Sequence, residues 1–253
     1  MGGFLLVILA FTLQKAPTFA SELLQRDLPP PAGAAELDRP ITSYSALDDD
    51  SRFVIAYYTV ESDDLLHELR VRSFDKKSRA WRSATFKESI GSVLEIRSHG
   101  DYLYVCGHSS PSASPLLVLQ EDLELKRVLD GWPVVMLDDG RVVFKRSMVH
   151  FAPAHAEVLA LYDPRTDRES TVYPSGPLDN ERGIERVPDT ADQWIDRSFS
   201  DIKTGDAPGT VEFLVVTQRI RLNVRNAGDP VGREERYHVH CDLTATQPSC
   251  RRR

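Results

Sequence analysis

The chain has 253 residues, of which 41% are hydrophobic and 27% charged, and its formal net charge is −7 at pH 7. This composition is typical of a globular protein that buries a core, and the length suits one large domain or two small ones. The acidic balance disfavours nucleic acid as a partner, because like charges repel the phosphate backbone. No apolar run reaches the roughly 20 residues that a membrane-spanning helix needs.

The first residues predict an export signal. Residues 4–13 are apolar apart from one threonine, and the small residues Thr18 and Ala20 suit cleavage before Ser21. The start lacks the positive charge that is typical of a signal, so a buried N-terminal strand or short helix is the alternative. We expect the mature protein to be exported, in the periplasm or outside the cell, with no stable membrane anchor after cleavage.

The sequence divides into three parts. We expect residues 1–20 to be the signal peptide and residues 21–40 to be a Pro-rich linker, since three consecutive prolines favour an extended chain. Residues 41–253 are expected to form a single β domain.

Three stretches of this domain share one pattern, a strand, a tight acidic or glycine-containing turn, and a second strand. Asp-Asp and Asp-Gly favour such turns because they tolerate positive φ or bond their own backbone. A third strand, a second polar turn and a short fourth strand follow each stretch. The paired strands span residues 45–58, 95–105 and 135–144, the third strands span residues 69–74, 116–119 and 158–162, and the fourth strands lie near Trp81, Val128 and Val172.

These units recur at about 40–50 residues, the length of a four-stranded propeller blade. Residues 161–167, with the sequence LYDPRTD, show the pattern best, and residues 41–174 as a whole resemble the repeats of β-propeller proteins. The resemblance implies an all-β fold, a propeller-like array of about four antiparallel four-stranded units. A β-sandwich of similar meanders is the alternative.

The repeat becomes irregular after Pro174. Residues 175–197 are rich in Pro, Gly, Asp and Glu and predict a long irregular surface connection. Residues 211–225 then predict a long strand, and residues 236–241 predict its antiparallel return, so the fourth unit is expected to be a long hairpin.

The chain has three cysteines. Cys241 and Cys250 are close in sequence, and export would permit a disulfide bond between them. Cys106 lies in a strand-like run and is expected to be a free, buried thiol. No paired-cysteine motif is present, so we expect no metal site and no cofactor.

Four histidines form the first candidate ligand-binding site. His67, His108, His150 and His155 fall in or near the loops between second and third strands, which share one face in blade-like units. Imidazole binds ligands and titrates near neutral pH, but no third metal ligand accompanies the pair His150 and His155. The alternative is that all four are ordinary solvent-exposed loop residues.

The return strand of the hairpin carries the second candidate site. His238 and His240 point to one side, because successive residues of a strand alternate between faces. Arg219 and Arg221 are expected on the facing strand, and this cluster of positive groups predicts an anion-binding site. The alternative is the solvated face of an amphipathic hairpin.

No catalytic residue is identified. The chain has no Gly-x-Ser-x-Gly, His-Glu-x-x-His or phosphate-binding glycine motif, and its 38 acidic residues are too many for one pair to stand out. Trp81, Trp132 and Trp194 lie at or near strand ends and are expected to be packing anchors.

These observations favour a non-catalytic binding or interaction module whose partner is an unknown protein or an extracellular ligand. One alternative is an extracytoplasmic hydrolase or lyase that acts on a glycan or a similar substrate through acidic or histidine residues on the loop face. Another is a structural subunit that docks through an open sheet edge.

Overall fold

The structure is a computed structural model that describes residues 18–31, 41–59, 69–87, 92–109, 113–147, 155–175, 185–190, 192–222, 228–245 and 247–253. Within these ranges it contains one short helix and fifteen strands that pair antiparallel. The predicted all-β, antiparallel fold class is confirmed. No helix among the described residues is long and apolar enough to cross a membrane.

The first unit is a sheet of four strands in sequence order. Its strands are β1 Ile41–Asp48, β2 Arg52–Thr59, β3 Leu69–Asp75 and β4 Ala80–Phe86. β2 is almost uniformly apolar because both of its faces are covered. Val54 and Ala56 lie in one buried cluster, whereas Phe53 and Ile55 lie in another on the opposite side of the sheet.

Helix α1, Phe19–Gln25, covers this second face of the first sheet. Thr18 caps its first turn through a reciprocal hydrogen-bond pair with Ser21. The Phe19 ring is fully buried and stacks on Tyr57 with 5.1 Å between ring centroids. The predicted cleavage point before Ser21 therefore falls inside a packed helix, and the start of the predicted linker is structured. Signal cleavage itself stays a prediction.

The second and third units share one sheet of seven strands. These are β5 Ser92–His99, β6 Tyr102–His108, β7 Pro115–Gln120, β8 Leu125–Met136, β9 Val142–Arg146, β10 Leu159–Asp163 and β11 Arg168–Tyr173. The first half of β8 pairs with β7, and its second half pairs with β9. The fourth strand of one unit thus continues as the first strand of the next, where the sequence predicted two separate strands.

Gly131 marks the point at which β8 passes from one unit to the next. Its φ is 153°, and a Cβ at this position would lie 2.0 Å from the carbonyl oxygen of Lys145. Its backbone N–H donates to the carbonyl of Ser114 over 2.8 Å. Only glycine permits this close approach of two backbones.

The fourth unit is again a four-stranded sheet in sequence order. Its strands are β12 Gln193–Thr204, β13 Thr210–Leu222, β14 Gly228–Asp242 and β15 Ser249–Arg252. The predicted irregular connection is wrong from residue 193 onward, because β12 begins there. Residues 176–184 and 191 of that connection lie outside the described residues, as do residues 223–227, which include the predicted end of the first hairpin strand at residue 225.

Both cysteine predictions are confirmed. Cys241 and Cys250 are register partners on β14 and β15 and form a disulfide bond with 4.0 Å between their Cα atoms. Cys106 is free and buried on β6.

The hydrophobic core lies between consecutive units. One cluster joins the first and second units, a second joins the second and third, and another joins the third and fourth. At the first of these contacts, the hydroxyl of Ser43 on β1 accepts from the backbone N–H of Val93 on β5 over 3.0 Å. The result is an array of four units in three antiparallel sheets, with helix α1 on the outer face of the first sheet.

Candidate functional site

A groove of about 530 Å³ lies where the first strands of the second, third and fourth units meet. β5 contributes Leu94 and Glu95, the second half of β8 contributes Trp132, and β12 contributes Asp201. These residues are far apart in sequence, so the groove is a product of how the units stack. We refer to it as the central groove.

Two large apolar side chains remain open to solvent in the central groove. Leu94 is 55% exposed and Trp132 is 38% exposed, while Phe199, which also lines the groove, is buried. Side chains of this size are usually withdrawn from water, so an open indole and an open leucine in one groove favour contact with a ligand.

Charged groups in the same groove are held by ion pairs. Oε1 of Glu95 lies 2.7 Å from Nε of Arg97. Lys145 forms an ion pair with Glu157, which is buried and also accepts from the backbone N–H of Phe199 over 2.6 Å. The groove therefore presents charges that are fixed in place and partly neutralised.

Asp201 has an unusual backbone conformation. Its φ is 53°, and it lies inside β12 at a break in the register between Ser200 and Lys203. The other non-glycine residues with positive φ lie in turns or between strands. The Asp201 carboxylate forms no ion pair with another described residue. A bulge of this kind changes the direction of a side chain, and such strain is concentrated at functional sites.

The structure places only two of the four predicted loop histidines, since His67 and His150 lie outside the described residues. His108 ends β6 opposite Ser92. His155 lies at the junction of the third and fourth units, where its carbonyl accepts from the backbone N–H of Arg197 over 2.8 Å and its Nδ1 is buried without a hydrogen-bond partner among the described residues. Neither lines the central groove, and their ligand-binding role stays a prediction.

The predicted hairpin histidines share one face of the sheet of the fourth unit. His238 pairs with Leu214 and His240 with Glu212. Nδ1 of His240 lies 3.1 Å from Oε1 of Glu212, and Nη1 of Arg253 lies 2.9 Å from the same oxygen. The hydrogen bond from His240, with the nearby charge of Arg253, lowers the pKa of Glu212.

Arg219 and Arg221 do not join this cluster, which corrects the expected grouping. The alternation along β13 places them on the same side as the buried Phe213, whereas the two histidines lie on the opposite side. Arg221 instead pairs with Asp192, with 2.8 Å between Nε and Oδ2. The anion-binding role of these residues stays a prediction, but they cannot form one site together.

Trp132 is the residue that sequence reasoning underestimated. It was expected to be a packing anchor, yet more than a third of its surface is exposed at the central groove. Its neighbours Gly131 and Pro133 are residues that seldom occupy the interior of a strand, and this local signal marks where β8 changes its pairing partner from β7 to β9.

Comparisons with known proteins show only low similarity in sequence and structure. No family model matches the chain, and no curated protein matches it significantly. The GH43 BlXynB protein from Bacillus licheniformis aligns with 77% of this chain at 14% identity and a TM-score of 0.28, and the chain spans 41% of that protein. A DUF4221 family member from Bacteroides vulgatus aligns with 83% of this chain, over 93% of its own length, at 8% identity and a TM-score of 0.25. TM-scores and identities this low carry no argument about function.

Proposed function

We propose that the protein is an exported, non-catalytic binding module whose central groove takes a neutral carbohydrate. The observation that carries the proposal is the open indole of Trp132, in a groove that Leu94 and charged side chains also line. A sugar ring has an apolar C–H face and a polar edge of hydroxyl groups. An aromatic ring with an apolar body suits the face, and nearby carboxylates suit the edge.

The charge balance of the central groove favours a neutral ligand. Glu95 and Asp201 supply two negative charges, and Arg97 and Lys145 supply two positive charges. Neither a cation nor an anion gains a net attraction from such a set, whereas hydroxyl groups can both donate to the carboxylates and accept from the cations.

The Glu95–Arg97 pair supports binding. Nε of Arg97 lies 2.7 Å from Oε1 of Glu95, so the carboxylate is held in place as a hydrogen-bond acceptor for hydroxyl groups. Hydrolysis is the second candidate function, because Glu95 and Asp201 line one groove and glycoside hydrolysis requires two carboxyl groups.

Isothermal titration with a panel of neutral oligosaccharides tests the proposal. We expect at least one to bind, and we expect Trp132→Ala to weaken that binding about tenfold or more, equivalent to about 1.4 kcal/mol. Trp194→Ala is the matched control, because it removes an indole of β12 that does not line the groove, and it should leave affinity unchanged.

The proposal is wrong if no oligosaccharide of the panel binds, or if Trp132→Ala and Trp194→Ala bind the sugar equally well. It is also wrong if prolonged incubation yields shorter sugars. The last result would establish the hydrolase instead.

A further inference from the structure

A second pocket, of about 540 Å³, lies on the sheet of the fourth unit, where this sheet extends beyond the strands of the third unit. β12, β13 and β14 have 12, 13 and 15 residues, whereas β10 and β11 have 5 and 6. One face of the sheet of the fourth unit packs against the third unit around Phe213. The same face therefore continues past Tyr173 and Pro174, where no strand of the third unit covers it. We call this the arginine pocket.

Arg197 lies in the arginine pocket with an unsatisfied donor. The residue is only 5% exposed. Its Nε donates to the carbonyl of Glu157 over 3.0 Å, and its Nη1 lies 2.8 Å from Oε2 of Glu185. Its Nη2 is buried and has no hydrogen-bond partner within the part of the chain that the structure describes. Buried donors of charged groups are nearly always satisfied, so this one points to an acceptor that the described residues do not supply.

Further donors surround the same space. Arg219 and Arg233 line it, as do Tyr173 and Tyr237. The two tyrosine hydroxyls lie 3.1 Å apart, so one donates to the other and the second hydroxyl hydrogen remains available. Burial, followed by the hydrogen bond to Tyr237, raises the pKa of Tyr173 and keeps this phenol neutral.

The charge balance here differs from that of the central groove. Three arginines line the arginine pocket, against the two glutamates Glu185 and Glu235. Glu185 is paired with Arg197, and Glu235 lies 3.5 Å from Arg252, which is itself outside the lining. Arg219 and Arg233 thus contribute positive charge that the pocket carboxylates do not neutralise.

We propose that the arginine pocket binds the anionic oxygen group of a small ligand, a carboxylate, a sulfate or a phosphate. The group lies against Nη2 of Arg197 and is held by Arg219 and Arg233. Pro174, Ile195 and Val231 line the same space, so the ligand carries an apolar portion as well. This site is separate from the central groove and does not depend on the carbohydrate proposal.

Calorimetric titration with sulfate, phosphate and benzoate at constant ionic strength tests the proposal. It also shows which of the three anionic groups the pocket binds. Benzamide is the neutral counterpart of benzoate and should not bind. We expect at least one anion to bind, and we expect the double variant Arg219→Gln/Arg233→Gln to bind it at least tenfold more weakly. Arg221→Gln is the matched control, because this exposed arginine lies on the same strand but outside the pocket, and it should bind as the wild type does.

The buried guanidinium is tested separately with Arg197→Met. If this variant keeps the wild-type circular dichroism, it should lose anion binding. If it does not fold, the double variant alone decides. The proposal is wrong if none of the three anions binds, or if Arg221→Gln weakens binding as much as the double variant does. Trp132→Ala should leave anion binding intact, so the two proposals fail independently.

Discussion

The backbone of Gly131 packs directly on the backbone of Lys145, with no room for a side chain between them. A Cβ on Gly131 would meet the Lys145 carbonyl oxygen at 2.0 Å, and this oxygen belongs to a strand that cannot move aside as a flexible side chain would. The contact fixes the point at which β8 leaves the second unit and enters the third. It also places the next residue, Trp132, at the central groove.

Gly131→Ala should therefore lower the free energy of unfolding by about 2–4 kcal/mol, through backbone displacement and strain. Gly100→Ala is the control. Gly100 has a φ of 56° but nothing within 4 Å of an added Cβ, so its cost is the conformational one of about 1–2 kcal/mol. Urea unfolding of both variants checks the difference, and equal destabilisation would contradict the close contact at Gly131.

Phe19→Ala should destabilise the chain that retains residues 1–20 by about 3–5 kcal/mol, because a buried aromatic ring is removed from its contact with Tyr57. Leu24→Ala, on the same helix, should have almost no effect, since Leu24 is 82% exposed. Thermal unfolding, with mass spectrometry to establish the N-terminus, measures both. An exported protein that begins at Ser21, or a Phe19→Ala variant as stable as the wild type, would show that helix α1 does not stabilise the mature fold.

The native protein should not react with iodoacetamide at pH 8. Burial raises the pKa of the Cys106 thiol to about 12, so almost no thiolate is present, and Cys241 and Cys250 are joined by their disulfide bond. Counting labelled cysteines by mass spectrometry should give none in buffer, one in urea, and all three in urea with a reductant. Rapid labelling in buffer would contradict the burial of Cys106, and three labels in urea alone would contradict the disulfide bond.

Glu212 should stabilise the sheet of the fourth unit, near the C-terminus, in a pH-dependent way. Its pKa lies below the ordinary value of 4.5, so its contribution is complete above that pH and is lost as the pH falls through the lowered pKa. The wild type should melt at a higher temperature than Glu212→Gln at pH 6, and the difference should close as the pH falls below 4.5. A difference that stays constant down to pH 3 would show that the carboxylate's charge is not the cause.

The first three units were predictable from sequence because their physical signals are local. The turn before β9 carries an Asp-Gly pair, and Gly140 there has a φ of 90°, which the pair predicts. Strands buried on both faces, such as β6 and β10, are continuous apolar runs bounded by polar turns. β12 was missed because most of its residues are polar and only Arg197 and Phe199 are buried, so neither an apolar run nor alternation marks it.

The candidate sites were less predictable because both depend on how the sheets pack together. Glu95, Trp132 and Asp201 meet in the central groove from three different units. The arginine pocket exists because the strands of the third unit are shorter than those of the fourth unit and leave part of its sheet uncovered. No spacing in the sequence encodes either relationship, whereas the disulfide bond, formed within nine positions, is a local feature.

The indole N–H signals in a nitrogen–proton correlation spectrum test the central claim most directly. The chain has three tryptophans, and Trp132→Phe identifies the signal from the groove. When the best-binding neutral oligosaccharide is added, the Trp132 signal should shift with ligand concentration while the signals of Trp81 and Trp194 remain in place. A Trp132 signal that stays fixed while the ligand binds, or shifts confined to the other two tryptophans, would contradict a carbohydrate site in the central groove.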